Sequence, residues 1–277
     1  ALPPQTLERK IIDEIILQTK KLAKSLNVIG FINIQFAIQN KKIFILEVNP
    51  RGSRTIPFVA KSTGVPLVKI ASQIMIGKKL SDFKLSNRKI NHISVKEAVF
   101  PFARFPGTDV ILGPEMKSTG EVMGIGLTFG EAFAKSQLGA GINLPLEGKV
   151  FISIKDDDKN SVVPIAKNLK NLGFTICATS GTAKYLNNNK IETQYIKKVI
   201  EGRPNAVDAM LSKEIQLVIN TAEGRNSIKD SFSLRQTALS NKIPYYTTIQ
   251  GANAATLAIK ALKSLKLNIK SLQSYFE

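Results

Sequence analysis

This sequence has few of the residues that build metal centres and disulfide bridges. Its 277 residues include one cysteine, one histidine and no tryptophan. A disulfide needs two cysteines and a structural zinc site about four Cys or His ligands, so an internal disulfide framework and a multi-cysteine metal site are excluded. Because structural disulfides belong to oxidising compartments, we expect this protein in a reducing one and take it to be cytoplasmic.

Long hydrophobic runs are also absent. No apolar segment approaches the roughly 18 residues that span a bilayer. The first ten residues, ALPPQTLERK, lack the basic-then-apolar order of a signal peptide. We therefore expect no membrane partner. The chain begins with Ala1 rather than Met, which fits a processed chain or a piece of a longer one.

Acidic residues are scarce beside basic ones. There are 21 Asp and Glu against 39 Lys and Arg, a formal net charge of +18 at pH 7. Such a charge attracts polyanions without specificity, which keeps nucleic-acid binding open as an alternative. Lysine, however, is spread along the chain, and aromatic residues make up only 7%. Single-strand binders interleave aromatic side chains with basic ones, so we favour a solvated basic surface and expect no nucleic-acid partner.

The beginning of the chain has a clear periodicity. Apolar residues recur at helical spacing over residues 8–26, which predicts an amphipathic helix. Residues 30–38 and 41–49 alternate apolar and polar side chains around a polar turn at residues 39–42. This pattern is typical of a β-hairpin.

Two short helices are predicted after the hairpin, each followed by a glycine, Gly64 and Gly77. Residues 81–147 are irregular, with strand-like SVKEAVFPF and EVMGIG and a helical segment, FGEAFAKSQLGA. The glycines of GIGLTFG in this stretch are spaced GxGxxxG rather than GxGxxG. A packing turn is therefore favoured over a dinucleotide-binding loop.

After about residue 148 the pattern changes to strand-like segments separated by helical ones. Alternation of this kind predicts an α/β fold with a doubly wound parallel sheet and helices on both faces. We expect two domains, residues 1–145 and 146–277. The strand-like segments are KVFISI, FTICAT, YIKKVI, QLVINT and IPYYTT.

Two single residues have simple structural interpretations. Cys177 lies inside an apolar segment and is expected to be a small buried side chain. His92, with no cysteine or second histidine to share a metal, is expected in a loop or at the surface.

The predicted hairpin carries the first candidate site. A turn centred near Lys41 pairs Gln35 with Glu47, and Glu47 shares a face with Asn49. Hard cations such as Mg²⁺ prefer oxygen ligands. Arg51 and Arg54 come shortly after Asn49 in the sequence. Their guanidinium groups can donate paired hydrogen bonds to phosphate oxygens. The same spacing also fits a solvated sheet face with arginines at its rim, and both interpretations stay open.

The second candidate site lies at the carboxyl ends of the predicted parallel strands, where open α/β sheets bind ligands. Thr179 leads into a helix start at Ser180, Gly181 and Thr182, whose amide groups suit an anion. Each hydroxyl alone also fits a helix cap. Residues at or next to the predicted strand ends are Ser153, Thr179, Asn220 and Thr247.

Two long segments resemble the end of the second ATP-grasp unit in the carbamoyl phosphate synthetase large-subunit family. They are GFINIQFAIQNKKIFILEVNPRGSRTIPFVAKSTGVPLVKIA and SVKEAVFPFARFPGTDVILGPEMKSTGEVMGIGLTFGEAFAKSQLGA. The resemblance implies the C-terminal part of an ATP-grasp domain (α+β) and a glutamine-dependent ATP-dependent ligase. It implies synthesis of carbamoyl phosphate from bicarbonate, ammonia from glutamine and two ATP, for arginine and pyrimidine biosynthesis.

The resemblance also implies roles for the hairpin residues. Gln35, Glu47 and Asn49 would hold the Mg²⁺ or Mn²⁺ ions that bridge ATP, Gln35 and Glu47 thereby binding ATP, and Arg51 would help to place the phosphoryl group. Glu97, the glutamate of SVKE, is similar to one that receives the activator ornithine.

The second half resembles a methylglyoxal-synthase-like regulatory domain, the continuation expected in the same large subunit. Thr247 would contact ornithine. Ala222 departs from a hydroxyl common in the family. A lyase is disfavoured because that activity uses a histidine, and His92, the only one, lies in the other half. The residues that would bind UMP or IMP are Ser153, Lys159, Thr179, Ser180, Gly181, Thr182, Lys198 and Asn220.

An ATP-grasp site encloses its nucleotide between two halves, and the half with the flexible loop would precede residue 1. The resemblance thus implies a chain that carries part of the site, is inactive alone, and works with the rest of the large chain and a glutaminase small subunit. The alternative is a regulatory nucleotide- and ornithine-binding module without catalysis of its own.

Overall fold

The computed structural model describes residues 1–85, 90–102, 116–223, 231–264 and 267–276. The chain forms two compact units. The first contains residues 1–94 together with the C-terminal residues from Ile269, and the second contains Val95–Asn268. Parts of the stretch predicted to be irregular, residues 86–89 and 103–115, lie outside the described residues.

The first unit follows the sequence pattern closely. Helix α1 spans Arg9–Ser25, as its amphipathic spacing predicts. Strands β1 (Asn33–Gln39) and β2 (Lys42–Asn49) pair antiparallel, and helices α2 (Thr55–Thr63) and α3 (Leu67–Met75) come next. The helix–hairpin–helix–helix order predicted from the sequence is therefore confirmed.

A two-stranded sheet and one helix come next, and the second unit begins within the first of the two strands. Strand β3 (Ile93–Val99) pairs with β4 (Gly120–Gly126), and α4 spans Phe129–Gly139. A Cβ atom on Gly124 would lie 2.0 Å from the carbonyl oxygen of Ala132 in α4. Because only a residue without a side chain lets the helix approach this strand, the interpretation of GIGLTFG as a packing segment is confirmed.

The five-stranded sheet of the second unit has the order β7-β6-β5-β8-β9, and all its neighbouring strands are parallel. Helices lie between most successive strands, so the connections are crossovers rather than hairpins. The strands are β5 (Lys149–Ser153), β6 (Thr175–Ala178), β7 (Thr193–Tyr195), β8 (Ile215–Asn220) and β9 (Tyr245–Tyr246). The helices are α5 (Lys159–Asn171), α6 (Ser180–Asn188), α7 (Ala206–Leu211), α8 (Phe232–Ser240) and α9 (Ile249–Ser264).

The core of the second unit lies on both faces of this sheet. Val150 and Ile152 belong to one buried cluster, whereas Phe151 between them belongs to another. All three side chains are fully buried, so the strand is covered on both sides. The doubly wound parallel sheet predicted from the sequence is confirmed.

One strand predicted from the sequence lies at a different position in the structure. The segment YIKKVI, residues 195–200, is not a strand, because β7 ends at Tyr195 and residues 199–201 form a 3₁₀ turn. The Glu201 carboxylate accepts a hydrogen bond from the backbone amide of Lys198 at 2.8 Å. This contact stabilises the turn over an extended strand, while Val199 still packs against a core cluster.

His92 is buried, contrary to the expectation of a loop or surface position. Only 4% of it is exposed, and its Nε2 atom lies 2.9 Å from the carbonyl oxygen of Ser62. The rings of Tyr275 and Phe276 meet the imidazole edge-on at centroid distances of 5.2 and 5.6 Å. The C-terminal segment covers the histidine, a long-range contact that local sequence does not reveal.

Cys177 is fully buried, as expected. Burial raises the pKa of its thiol to about 12, so the group is a neutral core side chain at physiological pH. In the part of the chain that the structure describes, no helix is long and apolar enough to cross a membrane.

Candidate functional site

The hairpin places Gln35 directly opposite Glu47, as the sequence predicts. The two-residue turn at Asn40 and Lys41 has φ values of 50° and 63°. Positive φ at both turn residues is the geometry of a type I′ hairpin turn. Both Gln35 and Glu47 are solvent-exposed, so a ligand in solution can reach these side chains.

A bulge in the hairpin produces this pairing. Near the turn Phe36 pairs with Ile45, and a regular ladder would next oppose Gln35 to Leu46. The register shifts between Gln35 and Phe36, so that Glu47 stands opposite Gln35. Since directly opposed residues share a face, the bulge places an amide and a carboxylate side by side.

Asn49 completes the group of oxygen-bearing side chains. Its Nδ2 atom donates a hydrogen bond to the Glu47 Oε1 atom at 2.8 Å, which holds the two side chains together. Arg51 follows β2 and donates to the carbonyl oxygen of Gly52 at 3.0 Å, and the exposed Arg54 precedes α2. The hairpin thus presents a carboxylate and two amides next to two guanidinium groups.

The donor set suits a hard divalent cation, since Gln35, Glu47 and Asn49 offer oxygen ligands and no sulfur or imidazole. The described residues hold no cluster of three His, Cys, Asp or Glu side chains that could bind a metal ion. The remaining ligands of any bound cation would therefore have to come from a substrate phosphate, water or other residues.

Three of the four predicted strand-end residues lie around one cleft in the second unit, which has a volume of about 410 Å³, whereas Thr247 does not line it. Ser153 ends β5, Thr179 follows β6 and Asn220 ends β8, so three neighbouring parallel strands contribute their carboxyl ends. Of the eight residues predicted to bind a nucleotide, all but Ser180 line this cleft: Ser153, Lys159, Thr179, Gly181, Thr182, Lys198 and Asn220.

Hydrogen bonds of threonine hydroxyl groups connect residues that line the cleft. Thr179 donates to Ser153 at 3.4 Å, and Thr182 accepts from the backbone amide of Ile154 at 3.2 Å. Thr179 and Thr182 are buried. Thr179 is also the residue before α6, and Gly181 in the first turn of that helix lines the cleft. A helix N-terminus with adjacent hydroxyls favours an anionic group.

Lysines supply positive charge to the cleft. The Lys159 ammonium pairs with the Asp156 carboxylate at 2.6 Å and lies 5.9 Å from the centre of the Tyr185 ring. The hydrogen bond from Lys159 lowers the pKa of Asp156. Lys198 is exposed at the other side of the lining. The net positive charge of the residues that line the cleft favours binding of an anion.

Sequence reasoning missed several residues of the cleft. Lys155 follows β5 and pairs with Glu223 at 2.7 Å. Thr221 lines the cleft and accepts a hydrogen bond from the backbone amide of Lys155 at 3.2 Å. Thr221 puts a hydroxyl next to Asn220, although Ala222 lacks one. Lys155 directly follows the predicted strand KVFISI and Thr221 is the last residue of QLVINT, so a search one or two residues beyond Ser153 and Asn220 would have found them.

Glu97 and Thr247, the two predicted ornithine residues, both belong to the second unit. Glu97 lies in β3, and the exposed Thr247 directly follows β9. A chain of contacts links the two positions: Gln137 of α4 hydrogen-bonds Glu97, and the Tyr246 hydroxyl donates to Gln137 Oε1 at 2.9 Å. Burial raises the pKa of Glu97, and the hydrogen bond from Gln137 partly opposes this effect.

Two family models match separate parts of the chain. The ATP-binding domain of the carbamoyl-phosphate synthase L chain matches residues 1–83, and the MGS-like domain matches residues 161–247. The first match contains the hairpin, and the second contains most of the residues around the cleft. The domain boundary near residue 145 falls between the two matches and stays a prediction.

Curated relatives match over nearly the whole chain. The carbamoyl phosphate synthase large chain of Rhizobium meliloti is 52% identical, covering 100% of this chain and 24% of the relative. The large chain of Myxococcus xanthus is 53% identical over 99% of this chain and 25% of the relative. That of Archaeoglobus fulgidus is 49% identical over 100% of this chain and 26% of the relative.

The chain therefore spans about a quarter of the length of these relatives. One family model and the relatives name the same synthase, and the hairpin and most of the cleft lie in the two matched parts. The chain belongs to the family of carbamoyl phosphate synthase large chains, of which it carries part of an ATP-binding domain and an MGS-like domain.

Proposed function

We propose that this chain is the C-terminal part of the large chain of a glutamine-dependent carbamoyl phosphate synthase. The complete enzyme would make carbamoyl phosphate from bicarbonate, ammonia from glutamine and two ATP, for arginine and pyrimidine biosynthesis. Family membership supports the activity. The observation that carries the role of this segment is the cleft, which gathers seven residues expected to bind a nucleotide.

The hairpin would serve the site that phosphorylates carbamate. Gln35, Glu47 and Asn49 would hold Mg²⁺ or Mn²⁺ bound to ATP, and the ion would neutralise phosphate charge. The guanidinium groups of Arg51 and Arg54 would orient the transferred phosphoryl group and stabilise its charge. The bulge sets this geometry, because it aligns the single carboxylate of the three ligands with Gln35.

The cleft would bind the effectors UMP or IMP. The α6 N-terminus with Thr179 and Thr182 would receive the phosphate, and Lys159 and Lys198 would add charge-assisted contacts. Glu97 and Thr247 would bind ornithine. A half-buried carboxylate suits a primary ammonium group, because the bound cation compensates the charge that burial destabilises.

Calorimetry on the 277-residue chain tests the cleft. UMP should bind, and uridine, which lacks the phosphate, should bind far more weakly. Lys198→Ala should weaken UMP binding by about 1 to 3 kcal/mol, the range for a charge-assisted hydrogen bond. Lys184→Ala, which removes an exposed charge of α6 that does not line the cleft, is the control. Absence of both UMP and IMP binding by the folded chain would overturn the regulatory role.

The catalytic role is tested in a complete large chain that carries this segment. Glu47→Ala should abolish ATP synthesis from carbamoyl phosphate and ADP, since it removes the only charged metal ligand of the three. Gln39→Ala at the exposed end of β1 is the matched control. Undiminished ATP synthesis by the Glu47→Ala enzyme would refute the assignment of the hairpin.

The alternative is a regulatory module without catalysis of its own. It is favoured by the exposure of Gln35 and Glu47, whose ligand atoms face solvent within the first unit. Under both hypotheses the isolated chain should make no carbamoyl phosphate. The Glu47→Ala experiment distinguishes them, because a mere regulatory module would tolerate that substitution. The other proposed partners are the rest of the large chain and a glutaminase small subunit.

A further inference from the structure

The cleft contains two lysines whose ammonium groups are already paired with carboxylates. Lys159 pairs with Asp156 at 2.6 Å, and Lys155 pairs with Glu223 at 2.7 Å. Both lysines and Asp156 line the cleft. An anion that enters the cleft therefore meets two lysines that already have negatively charged partners from the chain itself.

The Lys159 ammonium lies beside the start of α6, where a phosphate is expected. A Cβ atom on Gly181, in the first turn of that helix, would lie 3.9 Å from the Lys159 Nζ atom. A helix N-terminus favours an anionic group. The Asp156 carboxylate, which is within hydrogen-bond distance of this ammonium, thus supplies the negative charge that a phosphate would bring.

Lys155 is tied to β8, which lies on the opposite side of β5 from the strand that leads into α6. Its backbone amide donates a hydrogen bond to the Thr221 hydroxyl at 3.2 Å, directly after β8. Its ammonium donates to the carboxylate of Glu223, two residues further along the chain. The second ion pair is therefore anchored at a different strand end from the first.

Both carboxylates can leave their lysines at low cost. The side chains of Asp156 and Glu223 are 90% and 67% exposed, against 24% and 32% for Lys159 and Lys155. Hydrogen bonds from the lysines lower the pKa of both carboxyl groups, so both are ionised at neutral pH. Ion pairs with an exposed partner are weak, because water solvates the carboxylate once it is released. A phosphate monoester can displace them, since it carries more negative charge and more acceptor oxygens.

We propose that the carboxylates of Asp156 and Glu223 compete with the phosphate of a nucleoside monophosphate, which binds the cleft by taking their place on Lys159 and Lys155. The inference rests on the proposed function of the cleft. It adds Lys155 to the residues that bind the phosphate. The two carboxylates thereby keep the affinity of the cleft for the nucleotide lower than its lysines alone would give.

Removal of either carboxylate should tighten nucleotide binding. Calorimetry on the 277-residue chain measures the Kd of UMP for the wild type and for variants that lose one negative charge. Asp156→Asn and Glu223→Gln should each lower this Kd about two- to fivefold, the range for an exposed ion pair. Because the two pairs use different lysines, the double variant should combine both gains.

Two control variants remove a carboxylate of the same kind elsewhere. Asp157→Asn changes the next residue of the 3₁₀ turn at residues 156–158, outside the described lining of the cleft. Glu214→Gln breaks the ion pair of Glu214 with Lys149 at the amino ends of β5 and β8, the edge of the sheet opposite the cleft. Because solvent screens exposed charges away from the ligand, both controls should change the Kd of UMP less than about 1.5-fold.

A double-mutant cycle tests whether a carboxylate acts through its lysine. In a Lys155→Met background, Glu223→Gln should no longer lower the Kd of UMP, because no ammonium group is left to release. Asp156→Asn should keep its gain there, because it acts on Lys159. A gain from Glu223→Gln that persists without Lys155 would mean general repulsion by Glu223 and would refute the exchange. Thermal unfolding checks that each variant is folded.

The outcomes distinguish the inference from the proposed function. If the folded wild type binds UMP and both Asp156→Asn and Glu223→Gln leave the Kd unchanged, the competition is refuted and the proposed role of the cleft stands. If UMP and IMP both fail to bind the folded wild type, the proposed regulatory function falls and the inference falls with it.

Discussion

Burial of Glu97 opposes ionisation of its carboxyl group, and we propose that the same group binds a ligand. Its carboxylate is half-buried, and burial raises its pKa, while the hydrogen bond from Gln137 offsets part of this effect. The carboxyl group ionises at a lower pH in the unfolded chain than in the folded one. The free energy of unfolding therefore falls as the pH rises through this interval and stays reduced above it.

Glu97→Gln should accordingly raise the melting temperature of the ligand-free chain at pH 7, and the gain should vanish at a pH below the ionisation of the unfolded carboxyl group. Thermal unfolding at several pH values measures this difference. Glu147→Gln, at an exposed glutamate of the same unit, should change stability by less than about 0.5 kcal/mol at any pH. A destabilised Glu97→Gln protein at pH 7 would show that the carboxylate is not strained by burial.

Cys177 is expected to be chemically inert in the folded chain. Its pKa is raised to about 12 by burial, and the side chain is fully buried in a core cluster on one face of the sheet. Iodoacetamide at pH 8 should label native protein at least roughly a hundredfold more slowly than protein in denaturant, because the thiolate is rare and enclosed. Labelling followed by mass spectrometry measures the two rates. Equal rates would mean that the thiol is accessible.

At the scale of elements, the packing of α4 on β4 depends on a glycine. Gly124→Ala would place a Cβ atom 2.0 Å from a backbone oxygen of α4, and a backbone atom has little freedom to give way. We expect a loss of about 1 to 3 kcal/mol, the range for overpacking. Gly120→Ala on the same strand meets nothing within 4 Å and is the matched control.

Denaturant unfolding followed by circular dichroism compares the two variants. A clear drop in the midpoint for Gly124→Ala with little change for Gly120→Ala is the expected result. Equal midpoints would contradict the close approach of strand and helix. This experiment also tests the assignment of GIGLTFG, because a dinucleotide loop would lie open to solvent instead of against a helix.

Elements with a strong local signal were predictable, and those set by long-range contacts were not. The turn at Asn40 and Lys41 and the alternation on both sides predicted the hairpin. The Gln35–Glu47 pair was predicted from a turn centred on Lys41, but the turn lies between Asn40 and Lys41, and a bulge brings the two residues opposite each other. The bulge that creates this pair was not predicted, because nothing in the local pattern distinguishes Leu46 as the extra residue. The position of β7 was missed because a cap at Glu201 overrides the apolar pattern of YIKKVI.

At the scale of the whole molecule, sequence rules identified the edge of the sheet that holds the cleft but not every residue around it. Strand carboxyl ends predicted Ser153, Thr179 and Asn220, which line one cleft. The position of Ser231 in the lining depends on the three-dimensional path of the chain, and no sequence motif marks it. The burial of His92 has the same origin, since residues near the C-terminus cover it.

The central claim is that the chain gives a carbamoyl phosphate synthase a regulatory cleft for nucleoside monophosphates. The measurement that tests it most directly uses a complete large chain in which these 277 residues replace the matching quarter of a relative, together with the proposed glutaminase small subunit. Carbamoyl phosphate synthesis is measured with and without UMP, and the ratio of the two rates is compared between wild type and Lys198→Ala. We predict a ratio that departs from one in the wild type and moves toward one in Lys198→Ala. A ratio of one for the active wild-type enzyme, with UMP and with IMP alike, would contradict the account.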